Sequence, residues 1–506
     1  MVIDAGATGL RRRLMWTAAA REARALCCCG SDPVCRHGVV IWGPTRYARP
    51  TLKELSMKES GSRSMHYGHF RWRQVVCAAV LAVVCSLPLA AAQDAGQIWV
   101  GTWATAPVML PSPAAEAPQG RGPEPLRIRD QTVRQIVHTS IGGSAVRVAV
   151  TNLFGSEPLE IGAAHVALRE DGASISTDAG GPLRFAGQAA VTVAAGSMVL
   201  SDPVVMGVPA LGDLVIDLHV VSDSAAGNGA TYHAAGLTTN YLSSGGNHAG
   251  AAALPVDRTF QSWFYLSRVE VLAPEDTPVI VALGDSITDG TASTPDTHSR
   301  WPDFLARRLV ARSGNLPPGV LNLGIAGNRV LSDNAGLGLL LRNSGASPPP
   351  PSNPNAQFGR SALSRLDDDV LSQPGVTHVI VLESTNDIGM AFESDTPTVE
   401  EIIAGHVELI ERVRARGLKI YGGTLAPFEG AFYHREVGEQ KRLAFNEWMR
   451  TSGAYDAVID FDAAVRDPAA PSKFREDYQS GDWLHPSDAG YRAMAQAIDL
   501  ELFDER

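Results

Sequence analysis

Two segments in the second half of the chain carry residues suited to nucleophilic catalysis. Ser286 lies within GDSITDG (284–290), directly after the apolar run VIVAL (279–283). A serine between a buried strand and the start of a helix is well placed as a nucleophile, because helix N–H groups favour developing negative charge. Asp482 lies three residues before His485, a spacing that lets the carboxylate hold one imidazole nitrogen while the other faces a nucleophile. Each segment alone also fits an ordinary turn or a structural histidine.

Two further segments offer hydrogen-bond donors to a substrate oxygen. The segment NLGIAGN (322–328) contains Gly327, whose backbone N–H can point towards such an oxygen. The segment ESTND (383–387) supplies the side-chain amide of Asn386 as a second donor. Donors of this kind stabilise the negative charge that forms on the carbonyl oxygen during acyl transfer.

The elements that position these segments alternate between apolar strands and helices after Pro274. A helix is predicted over 398–417, because Thr398 and Glu401 form a capping box and Gly417 follows the last periodic residue. This alternation indicates a three-layer α/β domain with a parallel sheet, whose site lies at the carboxyl ends of the strands. The predicted strands are apolar runs at 279–283, 320–323, 378–382, 420–425 and 457–461.

The preceding part of the chain, from 98 to about 272, has a different pattern. Short β-rich runs such as 132–141, 145–154 and 213–222 alternate with Gly, Asp, Asn and Ser turns. Strands this short and frequent, without helical periods between them, predict an antiparallel β-sandwich of the jelly-roll kind.

The change of pattern predicts two domains, a β-sandwich over 93–274 and an α/β domain over 275–506. The segment 343–359 is rich in Pro, Ser and Asn and is interpreted as a surface loop inserted in the second domain.

The four site segments, in this order, resemble the blocks of the SGNH (GDSL) hydrolase superfamily over residues 275–500. The resemblance implies a flavodoxin-like three-layer α/β hydrolase domain with a parallel sheet. Segments 103–108, 129–140 and 231–241 are similar to secreted two-domain members, in which a β-rich domain precedes the hydrolase domain.

The same resemblance implies a role for each site residue. Ser286 would be the nucleophile, His485 the general base, and Asp482 the group that orients the imidazole. The N–H groups of Ser286 and Gly327 and the side chain of Asn386 would form the oxyanion hole.

The chain departs from this pattern at one position, where the family usually has glycine and this sequence has Ser384. We expect a side chain there to narrow the pocket or shift Asn386. Asp285 and Asp289 are expected to organise the serine turn, and Asp387 to be a structural partner. Arg329 and Trp301 are candidates for lining the pocket, and His298, His378 and His434 are expected to be structural.

The N-terminal residues indicate export. Residues 65–92 combine Arg71 and Arg73, an uncharged apolar stretch at 75–89 and a final Ala-Ala-Ala, which is the layout of a secretory signal peptide. Residues 1–64 have no convincing helical or strand periodicity. We interpret them as a disordered segment, or as residues wrongly assigned to the protein upstream of its signal peptide.

All six cysteines lie in the first 85 residues. Residues 93–506 contain none, and they carry 30 Lys and Arg against 49 Asp and Glu, a net charge of −19. This charge argues against a nucleic-acid partner. Neither a metal nor an organic cofactor is implied, because the nucleophile and its base are protein side chains.

Three functions fit these features. The first is an exported serine esterase, periplasmic or extracellular and without a stable membrane anchor after signal cleavage. Its substrates would be short-chain acyl esters on small molecules or polysaccharides, O-acetyl groups on carbohydrates included. The second is a lysophospholipase or lipase, which would need a long apolar acyl channel. The third is a carbohydrate-binding protein with an inactive hydrolase domain.

Overall fold

The computed structural model describes residues 96–111, 126–227, 229–312, 316–333, 358–389 and 396–504. They belong to one compact unit, Pro88–Arg506. The cysteines, the predicted signal peptide, residues 1–64 and positions 343–357 of the Pro-rich loop lie outside the described residues. Within the described ranges, no helix has both the length and the apolar character needed to cross a bilayer.

The first part of the unit is built from antiparallel strands, as the alternation of apolar and polar residues predicts. These strands form three sheets. The first has the order β1-β15-β4-β8, and β9 also pairs with β4; the second has the order β13-β12-β3-β10-β5-β6, and β7 also pairs with β5. The third has the order β14-β11-β2. We call the part of the chain that contains these three sheets the β-rich part. That it is a separate domain, and that it has a jelly-roll topology, stay predictions. Its strands are β1 (Gln97–Ala104), β2 (Val108–Pro111), β3 (Gln131–His138), β4 (Gly143–Thr151), β5 (Leu159–Arg169), β6 (Ile175–Leu183), β7 (Val191–Val193), β8 (Met198–Leu200), β9 (Val204–Val208), β10 (Asp213–Val220), β11 (Gly229–His233), β12 (Asn240–Gly245), β13 (Val256–Phe260), β14 (Trp263–Phe264) and β15 (Leu266–Pro274).

The second part is an α/β fold around a parallel sheet with the order β17-β16-β18-β19-β20, which confirms the predicted fold class. All six residues of strand β16, which lies between β17 and β18, are buried, because both faces of such a sheet are covered. A short antiparallel pair, β21 and β22, follows. The strands are β16 (Val279–Gly284), β17 (Gly319–Gly324), β18 (Val376–Leu382), β19 (Lys419–Gly423), β20 (Ala457–Ile459), β21 (Arg466–Asp467) and β22 (Ala470–Phe474).

Helices follow the parallel strands, and one of the two 16-residue helices, α5 (Val399–Arg414), begins as its sequence predicts. Thr398 caps α5, and the Glu401 side chain closes the capping box. The last helical residue is Arg414, and Gly417 adopts a left-handed conformation just beyond it. The helices are α1 (Ser286–Asp289), α2 (Trp301–Ala311), α3 (Ala362–Arg365), α4 (Thr385–Gly389), α5 (Val399–Arg414), α6 (Glu436–Thr451), α7 (Phe461–Val465) and α8 (Asp488–Gln496), with a π-turn at Leu366–Leu371 and a 3₁₀ turn at Leu500–Phe503.

The two parts share one hydrophobic core. A single cluster of buried side chains contains Val148 of β4, Leu214 of β10 and Val281 of β16. Strand β1 packs against β17, and a Cβ atom at Gly101 would lie only 2.8 Å from the Leu321 side chain. A side chain at position 101 would therefore require the Leu321 side chain to move.

Candidate active site

The nucleophile candidate lies in the turn that joins β16 to α1. Asp285 caps this short helix, because its Oδ1 accepts a hydrogen bond from the backbone N–H of Ile287 at 2.9 Å. Ser286 is the first helical residue and is 8% exposed. The turn is compact because Gly324 of β17 approaches it: a Cβ atom at Gly324 would lie 2.2 Å from the backbone nitrogen of Asp289.

The structure brings Ser286, His485 and Asp482 together as one hydrogen-bonded chain, although 199 positions separate the serine from the histidine. His485 Nε2 lies 2.9 Å from Ser286 Oγ, and His485 Nδ1 lies 2.6 Å from Asp482 Oδ2. Because the carboxylate accepts the Nδ1 proton, Nε2 keeps its lone pair for the serine hydroxyl. This arrangement can transfer a proton from Ser286 to His485.

Asp482 also fixes the loop that carries the histidine. Its Oδ1 accepts hydrogen bonds from the backbone N–H groups of Leu484 and His485, each at 2.9 Å. Partial burial would raise the pKa of Asp482, but the hydrogen bonds and charge of His485 outweigh it and hold that pKa well below its ordinary value. The carboxylate is therefore ionised whenever it faces the imidazole.

The candidate oxyanion donors lie on two neighbouring loops. Asn386 of α4 donates from Nδ2 to the backbone oxygen of Asn328 at 3.0 Å, which places this amide beside the residue that follows Gly327. Gly327 has a φ of +81°, and a Cβ atom there would lie 2.2 Å from the Phe358 ring. Only glycine fits this position, so the path of the loop is tightly defined. The roles of Ser286, Gly327 and Asn386 as oxyanion donors stay predictions.

Ser384 has a left-handed backbone with a φ of +97°, which explains why glycine suits this position. Its side chain is completely buried, and Ser384 Oγ lies 2.9 Å from His406 Nε2 on α5. His406 Nδ1 lies 2.5 Å from the Tyr455 hydroxyl, and burial lowers the pKa of His406 to about 3, so the ring is neutral. The Ser384 hydroxyl is therefore held inside the protein, and the expectation that this side chain narrows the pocket or shifts Asn386 stays a prediction.

Arg365 is a contributor that the sequence analysis missed. It is 1% exposed, and its guanidinium donates to the carbonyl oxygens of Leu323 at 2.8 Å and Gly284 at 3.2 Å. Its Nε also donates to Asn328 Oδ1 at 3.0 Å. The residue thus ties together the ends of β16 and β17, and no local pattern in the sequence marks it.

Three buried carboxyl groups surround the nucleophile turn. Burial raises the pKa of Asp285 to about 6. Burial and the negative charge of Asp285 raise the pKa of Glu383 well above its ordinary value, against the opposing effect of Arg365. Burial also raises the pKa of Asp387, which accepts hydrogen bonds from the backbone of Val330 and Leu331, as its predicted structural role requires. Asp285 organises the serine turn as predicted.

One cluster in the described part of the chain offers metal-ligand atoms, namely His138, Asp213 and His298. Asp213 Oδ1 lies 2.8 Å from His138 Nδ1 and 3.2 Å from His298 Nε2. The imidazole rings are stacked, with centroids 3.8 Å apart and planes 12° from parallel. A ring nitrogen directs its lone pair in the ring plane, so one ion cannot face both nitrogens in this arrangement. The cluster instead forms a hydrogen-bonded bridge between the β-rich part and the segment after α1.

Arg329 lines an open cleft of about 290 Å³ beside α4, together with Leu331, Ser332, Asp387, Thr396, Pro397 and Glu401. Trp301 does not line a pocket, because it is fully buried against Phe461.

Replacing Glu383 by glutamine should reduce the pH dependence of stability. In an unfolded chain the Glu pKa is about 4.3, so the native state holds this proton to higher pH than the unfolded state does. The free energy of unfolding therefore falls as the pH rises from the unfolded-state pKa towards the native-state pKa of Glu383. The total loss is about 1.4 kcal/mol for each unit by which these two pKa values differ. Urea unfolding at pH 5 and pH 8 should show a smaller loss in Glu383→Gln than in the wild type.

The exposed Glu400 supplies the matched control for this measurement. Glu400→Gln should keep the wild-type pH dependence, because this side chain is exposed to solvent in the folded protein. Equal pH dependence in wild type and Glu383→Gln would contradict the assigned protonation of Glu383.

Comparison with known proteins identifies the family of the α/β part. Residues 282–493 match the model of the GDSL-like lipase/acylhydrolase family. A search of curated proteins finds no match.

Several solved structures are similar to the chain. An aryl esterase from M. smegmatis has 18% identity and a TM-score of 0.33, covering 45% of this chain and 99% of its own. An acetyl xylan esterase from Geobacillus stearothermophilus has 18% identity and a TM-score of 0.31, and the match covers 44% of this chain and 94% of that esterase. The match includes Ser286 and the loop of Asp482 and His485, so residues 282–493 are similar to the GDSL-like lipase/acylhydrolase family.

Proposed function

We propose that this protein is an exported serine esterase that hydrolyses short-chain acyl esters, O-acetyl groups on carbohydrates included, through an acyl-enzyme on Ser286. The observation that carries the proposal is the continuous hydrogen-bonded chain from Ser286 through His485 to Asp482. Ester hydrolysis in general follows from the family.

The geometry supports a two-step reaction. His485 Nε2 takes the proton of Ser286 as Oγ forms a bond to the acyl carbon, and the carbonyl electron pair moves onto oxygen. Collapse of this intermediate breaks the bond to the alcohol oxygen, which receives the proton from His485. Water then loses a proton to His485 and adds to the acyl carbon. Collapse of this second intermediate breaks the bond to Ser286 Oγ, which receives the proton from His485, and the carboxylic acid leaves.

The negative oxygen of each intermediate needs donors that are already in place. We assign this role to the N–H groups of Ser286 and Gly327 and to the Asn386 amide, which has a second N–H besides the one bonded to Asn328. Loss of one such donor typically costs about 10²–10³ in kcat.

The substrate class is supported by the chemistry of the neighbouring cleft. Five of its seven lining residues are polar or charged, including Arg329 and Glu401. Such a surface suits the hydroxyl groups of a sugar better than a long acyl chain.

Substitution of the proposed catalytic residues tests the mechanism. Ser286→Ala should abolish ester hydrolysis, because the acyl-enzyme cannot form. Asp482→Asn should lower kcat by about 10⁴-fold, because an amide no longer holds the tautomer that leaves Nε2 able to accept a proton. Initial rates on p-nitrophenyl acetate measure both, and thermal unfolding confirms that each variant is folded.

A matched control is Asp477→Asn, because Asp477 is an exposed carboxyl in the same C-terminal segment that pairs with Arg475. It should keep wild-type activity. Ester hydrolysis by Ser286→Ala at the wild-type rate would refute the proposed nucleophile.

A chain-length series tests the substrate class. Values of kcat/KM on p-nitrophenyl esters from acetate to palmitate should fall steeply beyond short acyl groups, and acetylated xylan or xyloglucan should release acetate. A preference for palmitate would favour the lipase alternative instead. Glycan binding by an enzyme inert on every ester would favour the binding-protein alternative.

Export is tested by the N-terminus of the product. We expect protein recovered outside the cytoplasm to begin at Gln93, because small residues precede that position at the end of the apolar stretch. N-terminal sequencing measures this directly. A first residue upstream of Met65 would contradict the predicted cleavage site.

A further inference from the structure

The segment that follows the nucleophile helix is attached to the β-rich part at several points. Asp296 accepts hydrogen bonds from the backbone N–H and the hydroxyl of Thr239, both at 2.6 Å. The Arg300 guanidinium donates to the backbone oxygens of Ala235 and Gly236 at 3.0 and 2.5 Å. The segment from Asp289 to Arg300 therefore takes its position from the β-rich part as well as from its own domain.

One of these attachments begins on the nucleophile helix itself. His233, the last residue of β11, places Nε2 at 2.9 Å from Oδ1 of Asp289, the last residue of α1. Both side chains are only 4% exposed. His233 Nδ1 lies 2.8 Å from the backbone oxygen of Ala106, which can only accept, so Nδ1 carries a proton. The ring is held at both nitrogens, and its orientation towards Asp289 is fixed.

The second oxygen of Asp289 faces the loop that carries the proposed oxyanion donor. Asp289 Oδ2 accepts a hydrogen bond from the backbone N–H of Ala326 at 3.1 Å. Ala326 directly precedes Gly327, whose own conformation allows no side chain. One carboxylate thus joins His233 of the β-rich part, the helix of Ser286 and the loop of Gly327.

We propose that His233 is a positioning residue of the esterase site, supplied by the β-rich part and acting through Asp289 on the loop of Gly327. The proposal rests on the proposed function, because it assigns His233 an effect on the oxyanion donors. Loss of the contact to Asp289 frees that carboxylate to rotate, and the Ala326 N–H then loses its fixed acceptor. A displacement of about 1 Å at such a site can cost about 10²-fold in rate.

Two substitutions separate the two contacts of the imidazole. The amide nitrogen of glutamine lies near the place of Nε2, so His233→Gln can still donate to Asp289. The amide nitrogen of asparagine lies near the place of Nδ1, so His233→Asn can donate only to Ala106. We expect His233→Asn to lower kcat on p-nitrophenyl acetate by about 10- to 100-fold with little change in KM, and His233→Gln to retain most of kcat.

Thermal unfolding midpoints distinguish positioning from general stability. A purely structural His233 would make kcat follow the midpoint in both variants, whereas the proposal requires a difference in kcat at similar midpoints. Thr239→Val is the matched control, because it removes a hydrogen bond from the same contact region without touching Asp289 or Ala326. Its kcat should equal that of the wild type.

A second variant approaches the same contact from the opposite side. Asp289→Ala removes both the acceptor of the Ala326 N–H and the partner of His233 Nε2, so it should lower kcat to at least a similar extent. The double variant His233→Asn/Asp289→Ala should fall no further than Asp289→Ala. If His233→Asn does not fold, Asp289→Ala alone decides. Wild-type kcat in either folded variant overturns the proposal. Activity in Ser286→Ala would instead refute the proposed function, so the two failures are distinguishable.

Discussion

The buried guanidinium of Arg365 is the interaction on which the geometry of the site depends. It joins the carbonyl oxygens of Gly284, the last residue of β16, and Leu323, the last but one of β17, to the side chain of Asn328. Ser286 follows Gly284 by two residues, and Gly327 directly precedes Asn328. One buried cation therefore holds the turn of Ser286 near the loop of Gly327, and the proposed acyl transfer requires such fixed positions.

Buried carboxyl groups lie beside this guanidinium and the turn of Ser286. Arg365 Nη1 lies 3.3 Å from Asp369 Oδ2, and Arg365 Nη2 lies 3.8 Å from Glu383 Oε1. Burial raises the pKa of Asp285 to about 6 and that of Glu383 well above its ordinary value. The hydrogen bonds and charge of His485 instead hold the pKa of Asp482 low, so that this carboxylate can stabilise an imidazolium. Carboxyl pKa values therefore shift in opposite directions at the turn of Ser286 and at the loop of His485.

Local patterns in the sequence predict most of the framework. Apolar runs predict every strand of the parallel sheet, and a capping box predicts the start of α5. Both signals are local, because each is contained in a few consecutive residues. The order of four short motifs also brought together Ser286, His485 and Asp482, which the structure places in contact.

Contacts between distant segments could not be predicted in the same way. Nothing around Arg365 indicates that it will reach two strand ends, and nothing near Ser384 indicates that His406 of α5 will bind its hydroxyl. The partners of the Asp289 side chain could not be predicted for the same reason, because His233 and Ala326 lie 56 and 37 positions away. Such contacts depend on the packing of whole elements rather than on local propensity.

The β-rich part also resolves a problem that an isolated parallel sheet would have. Strand β17 is at one edge of that sheet, and an unpaired edge invites association with other chains. In this protein β1 packs against β17, the Val320 N–H donates to Ser140 Oγ at 2.9 Å, and a Cβ atom at Gly319 would lie 2.5 Å from the Gly101 carbonyl oxygen. The covered edge strand is the one that leads into the loop of Gly327, so the contact that protects the sheet also restrains the site. A polypeptide with no cysteine after residue 85 must obtain this restraint from packing and hydrogen bonds, and the shared core between its two parts supplies both.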